Sequence, residues 1–237
     1  AAENCPPLQV FHYHNNMSGD EGAIAVARIV KCCPNLRDFR FSTTRSKQKG
    51  CLHIAQSLQS LSTAAFEDLD LSDNSFGGAC AKPLAEFLGR QTSLTTLTLR
   101  DSGLEQDGIE EVAPALAAAH APIRTLDLSG NDLEIESGGC LVAIVAALAP
   151  TLEDLQLDDN CFGSEVASQL ATVLAGCKKL RKLNVNNCEI TALGAYRLAK
   201  AVSRLPAFET LEMDGNEICG DVVGSIEAVM LDAGKVL

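Results

Sequence analysis

The sequence predicts an α/β solenoid with one strand and one helix per repeat, its parallel sheet lining the inside of a curve. Two observations carry this. The stretch FEDLDLSDNSF at Phe66–Phe76 places apolar residues at its first, fourth and sixth places and Asn74 at its ninth. The same unit recurs eight times, beginning at Leu8, Leu36, Phe66, Leu94, Ile123, Leu152, Leu180 and Phe208, with spacings of 28, 30, 28, 29, 29, 28 and 28 residues. A unit of this pattern at this period is a leucine-rich repeat.

Each element follows from the residues. Places four and six lie two apart and share one face of a short strand. The asparagine at place nine then turns the chain, its amide satisfying backbone groups that a turn leaves unpaired. This residue is Asn16, Asn74, Asn131, Asn160 and Asn216 in five copies, which reads as a buried ladder. Helical stripes follow: Ile109, Val112, Ala113 and Leu116 stand at i, i+3, i+4 and i+7, as do Val26, Ile29, Val30 and Cys33. Glycines 22, 50, 108 and 194 read as the turn from strand into helix, and Pro34 and Pro206 as helix stops. Strands about 4.8 Å apart beside helices about 8–10 Å apart force curvature, giving a horseshoe of the ribonuclease-inhibitor type. The regular spacing leaves no room for a linker, so residues 1–237 are expected to form one solenoid. The missing initiator Met, and end repeats without polar caps, suggest a longer parent.

Apolar residues make up 46% of the chain, yet there is no Trp and only ten Phe plus Tyr, so aliphatic side chains must fill thin layers. A net charge of −12 argues against nucleic acid or an anionic membrane as partner. No apolar run is long enough for membrane insertion. The ten cysteines show no CxxC pair and are expected to be reduced thiols. Phosphate-loop, dinucleotide, zinc-hydrolase and serine-hydrolase motifs are all absent, so no catalytic residue and no cofactor is assigned. His12, His14 and Asp38 could share a metal ion, but a polar end strand accounts for them equally well.

Places three, five and seven should form the open, concave face. They hold eight acids (Asp38, Asp68, Asp70, Asp127, Asp154, Asp158, Glu212, Asp214) against Arg40, Arg100 and Lys182. Such a surface suits a basic protein partner. Against it stands the basic stretch Arg37–Lys49, with Arg45, Lys47 and Lys49 in a repeat whose ninth place is Thr44, a break in the ladder.

The stretch HNNMSGDEGAIA (His14–Ala25), the residues Asp38-Phe39-Arg40 and Ser42-Thr43-Thr44-Arg45, and later LDLSDNSFG, LSGNDLE and NEICGD together resemble a Ran GTPase-activating protein, nearest the plant and green-algal branch. The leucine pattern alone is unspecific; HNNMSGDEG is specific, because the repeat requires few of its residues. The resemblance implies a horseshoe that binds the small GTPase Ran in its GTP form and speeds hydrolysis, in the cytoplasm or at the nuclear envelope. It implies that an asparagine on a repeat loop orients Ran's own catalytic parts, without an inserted arginine. In this register that asparagine belongs before Leu8, so this chain would lack it. A second register places Asp101 at its position. Contacts with Ran are expected from His14, Asn15, Met17, Asp20 and Glu21 and from Arg45, Lys47 and Lys49. The alternative is a leucine-rich scaffold or sensor module unconnected to GTP hydrolysis.

Overall fold

The computed structural model describes residues 8–61 and 65–235. Cys5 lies outside them. Among the described residues eight three-residue strands alternate with eight α-helices: β1 (Val10–His12), α1 (Gly19–Lys31), β2 (Asp38–Arg40), α2 (Gln48–Ser60), β3 (Asp68–Asp70), α3 (Gly77–Leu88), β4 (Thr96–Thr98), α4 (Glu105–Ala119), β5 (Thr125–Asp127), α5 (Gly138–Leu148), β6 (Asp154–Gln156), α6 (Gly163–Leu174), β7 (Lys182–Asn184), α7 (Ala192–Ser203), β8 (Thr210–Glu212) and α8 (Gly220–Asp232). The strands form one parallel sheet in chain order. Every pairing joins equivalent places of neighbouring repeats, as in Phe39 with Leu69 and Leu126 with Leu155. This is the leucine-rich-repeat horseshoe that the spacing predicts, each strand beginning at the third place of its unit.

Leucines at places one, four and six, such as Leu94, Leu97 and Leu99, are fully buried with the inward stripe of each helix, for example Ile109, Val112 and Leu116. At the first end the leucines give way to rings. Phe11 stands 5.9 Å from Phe39, and Tyr13 stacks on Phe41 at 6.2 Å. At the last end Lys235 Nζ donates to the carbonyls of Leu205 (2.9 Å) and Phe208 (2.7 Å). α1 and α7 end before Pro34 and Pro206, as expected. Pro83 and Pro114 sit inside α3 and α4, which no sequence pattern foretold.

The asparagine ladder is unbroken where the sequence suggested a gap. Asn74 Oδ1 accepts from the Thr44 hydroxyl (2.7 Å) and from the Thr44 and Ser46 amides (3.2 Å each). Its Nδ2 donates to the carbonyls of Phe41 (2.9 Å) and Ser72 (3.0 Å). Thr44, Ser102 and Cys188 occupy the ninth place in the other repeats. Each turns its amide to the asparagine of the following repeat: Asn74, Asn131 and Asn216. A hydroxyl or thiol thus stands in for the amide where the next asparagine supplies the acceptor.

The glycines read as turns into helices require correction. Gly22, Gly50, Gly108 and Gly194 lie inside the first turns of α1, α2, α4 and α7. What they provide is closeness. A Cβ on Gly50 would sit 2.7 Å from Ala23 Cβ and 2.7 Å from Asp20 Oδ1, crowding α1. Gly50→Ala is therefore expected to destabilise by about 1–3 kcal/mol despite the better helix propensity of alanine. Chemical denaturation checks it; a stabilised variant would show that the two helices can part without cost.

Cys32, Cys51, Cys80, Cys140, Cys161, Cys177, Cys188 and Cys219 are free thiols. Burial pushes the thiols of Cys51 and Cys177 up to about 11 and those of Cys80 and Cys188 to about 12, so these four stay protonated and act as small apolar fillers.

Candidate partner-binding rim

As the chain leaves each strand it passes through the left-handed region at the eighth place of the unit. Asn15, Thr43, Asp73, Asp101, Gly130, Asp159, Asn187 and Gly215 all have φ between 47° and 69°. Asn, Asp and Gly tolerate this backbone, whereas a β-branched threonine does not. Thr43 is held by its hydroxyl, which donates to Asp73 Oδ2 at 2.9 Å. The result is a row of side chains along the edge where the strands end. Its charge changes along the row, from Asn15 and Thr43 to Asp73, Asp101 and Asp159.

The residues singled out from the sequence lie at the first end of this rim. His14, Asn15 and Met17 occupy the loop after β1; Arg45 and Lys47 occupy the loop after β2; Asp20 and Glu21, and Lys49, start α1 and α2. The loops are tied together by the Asn15 amide to the Ser42 carbonyl (3.1 Å) and the Gly19 amide to the Thr44 carbonyl (3.0 Å). Met17 is 76% exposed. Arg45, Lys47 and Lys49 are exposed, and among the described residues none of them has a carboxylate within ion-pair distance. Arg45 itself adopts a left-handed backbone (φ 56°) at a conformational cost.

Asp20 is used differently from its neighbours. Its Oδ1 accepts from the Lys47 amide (2.9 Å), the Gly50 amide (3.0 Å) and the Ser46 hydroxyl (3.4 Å). It caps α2, whose own N-cap, Lys47, cannot do so. Ser164 does the same for α7 by accepting from the Thr191 amide at 2.7 Å. These caps cross between repeats, so their partners lie 26 to 30 residues apart.

The concave face is less open in its charge than a count of acids suggests. Asp70 and Asp127 accept from the amides of Ser72 and Ser129, each at 3.0 Å. Arg100 lies 3.2 Å from Asp101, 3.4 Å from Asp158 and 3.6 Å from Asp159, linking concave face to rim. Asp38 is 2.8 Å from His12 Nε2, while Arg40 reaches Asp38 and Asp68 at 3.9 Å. His14 is apart from this pair, its Nδ1 meeting Asn15 Nδ2 at 3.2 Å. Among the described residues no group of three or more His, Cys, Asp or Glu is arranged to hold a metal.

Burial raises the Asp68 pKa, with Asp38 and Asp70 adding repulsion that Arg40 partly offsets. A carboxyl whose folded pKa is raised favours the folded state when protonated and opposes it as pH rises through that pKa. Asp68→Asn should therefore raise the melting temperature at neutral pH, and the gain should shrink on acidification. Melts of both proteins across pH check this; a gain independent of pH would mean that charge is not its cause.

The fold is a leucine-rich-repeat horseshoe of the ribonuclease-inhibitor type. The family model described as Leucine Rich repeat matches residues 176–199. The chain is similar to RAN GTPase-activating protein 2 of Arabidopsis thaliana, 34% identical over 135 residues that make up 56% of this chain and 25% of that protein. It is also similar to the ribonuclease inhibitor of Sus scrofa, 26% identical over 81% of this chain and 42% of the inhibitor. Protein NLRC5 of Mus musculus is 30% identical over 55% of this chain, which is 7% of its own length. The chain thus spans less than half the length of each of these relatives. Among the described residues no helix is long and apolar enough to cross a membrane.

Proposed function

We propose that this chain is the leucine-rich-repeat part of a GTPase activator for Ran, acting in nucleocytoplasmic transport, and that the first end of its rim meets Ran in the GTP form. What supports this is the likeness to the plant activator together with HNNMSGDEG, whose residues form the loop after β1 and the first turn of α1. The contact residues are His14, Asn15, Met17, Glu21, Arg45, Lys47 and Lys49, with Asp20 holding the second loop in place. No residue here is assigned the role of the activator's catalytic asparagine, so the chain binds without supplying that group. The setting is the cytoplasm or the nuclear envelope.

Single-turnover GTP hydrolysis by Ran, with the chain in excess, tests this. Positioning and electrostatics dominate phosphoryl transfer, so a chain without the orienting amide is expected to leave the intrinsic rate unchanged. Stimulation would place the missing group inside the chain. Asn15 and Asp101, both at left-handed rim positions, would then be substituted first; Asn74 is committed to the buried ladder.

A further inference from the structure

On the convex side, the seam between α6 and α7 concentrates positive charge in an otherwise acidic protein. Lys178, Arg197, Lys200 and Arg204 line a cleft of about 390 Å³ floored by Ala171, Ala175, Ala201 and Leu205, with no carboxylate in its lining. All four cations are exposed. Among the described residues none has an ion-pair partner. Lys178 Nζ donates to the Ala175 carbonyl at 2.6 Å, and Lys200 lies over the Tyr196 ring at 5.8 Å. Against a net charge of −12, four unpaired cations around one cleft are not what an average surface would carry.

Helix polarity favours cations in a last turn, yet it does not account for the cluster. Helices α2, α3, α4, α5, α6 and α8 have no basic residue there. Arg197 moreover stands mid-helix, and Arg197 and Lys200 of α7 fall at i, i+3 and i+7 with Arg204, the residue that ends the helix, on one stripe. The small floor residues let another backbone approach closely. A neighbouring hollow extends the trough past Thr172 toward Leu193, 55% exposed, with Val142 of α5 and the single carboxylate Glu165 in its lining.

We propose that the α6–α7 seam is a docking groove for an acidic amphipathic helix of a partner protein. The helix would seat its apolar stripe on the alanine floor and turn its carboxylates to Lys178, Arg197, Lys200 and Arg204. Guanidinium groups match carboxylates bidentately, and a short apolar trough flanked by charge is the helix-in-groove mode of recognition. This surface is on the opposite side of the solenoid from the concave face and is independent of the contact proposed for Ran.

The probe is a fluorescent synthetic helix with leucines at i, i+3, i+4 and i+7 and glutamates on the flanking faces, read by anisotropy. The acidic peptide is expected to bind saturably and more weakly as salt rises. The triple variant Arg197→Glu, Lys200→Glu, Arg204→Glu should lose about tenfold or more in affinity. Ala175→Gln, which fills the floor without adding charge, should weaken binding too, both variants melting like the parent chain. A scrambled peptide of equal composition that binds as tightly, or Ala175→Gln binding at full strength, would reduce the cluster to diffuse attraction and overturn the groove. Binding to phosphatidylserine vesicles without binding the peptide would overturn it in favour of a lipid surface.

Discussion

Replacing Asn131 by alanine is expected to cost about 3 kcal/mol, a large fraction of the stability of a domain this size. Its Nδ2 donates to the carbonyls of Leu99 (2.7 Å), Leu128 (3.0 Å) and Ser129 (3.1 Å). Its Oδ1 accepts from the Ser102 amide (3.2 Å), the Ser102 hydroxyl (2.9 Å) and the Leu104 amide (3.2 Å). The residue is fully buried. Truncation strands backbone groups of two repeats at once, so the loss should exceed that of an ordinary hydrogen bond, which is about 1 kcal/mol. Urea denaturation checks it. A loss below 1 kcal/mol would mean that water enters the turn and replaces the amide.

Leu128→Ala should be of similar size, about 2–5 kcal/mol, for a different reason. Leu128 occupies the sixth place of a central repeat and is fully buried between sheet and helices. Its removal forfeits transfer free energy and leaves a cavity, because parallel strands locked in register on both sides cannot close in. The two changes should also differ in kind: an apolar replacement at 128, such as Leu128→Met, should cost under about 1.5 kcal/mol. No apolar replacement at 131 should rescue the donors and acceptors. If Leu128→Met proves as costly as Leu128→Ala, shape rather than volume governs the layer.

The repeat was legible because a strand with period two and a helix with period 3.6 leave separate marks on the same 28-residue unit. Leu97, Leu99, Ile109 and Val112 announce their burial in the sequence. The rim was half legible. Asn, Asp or Gly fills the eighth place in every repeat but that of Thr43, and this composition is what a left-handed turn demands. Asp20 could not be read as a cap for α2, since its acceptor role is set by a loop one repeat away. Nor could the pairing of Arg100 with Asp158 and Asp159, which depends on side chains meeting across strands two repeats apart. Local patterns specify elements; contacts between repeats decide which charges remain available to a partner.

The most direct test of the proposed function is equilibrium binding of this chain to Ran loaded with a non-hydrolysable GTP analogue, compared with Ran bound to GDP. Saturable binding that favours the GTP form is expected. It should weaken as salt rises and weaken further in a chain carrying Arg45→Glu and Lys47→Glu, which are exposed and without ion-pair partners among the described residues. No binding to either form, or equal binding to both that ignores the charge reversal, would contradict the assignment of this rim to Ran and favour an interaction module unconnected to GTP hydrolysis.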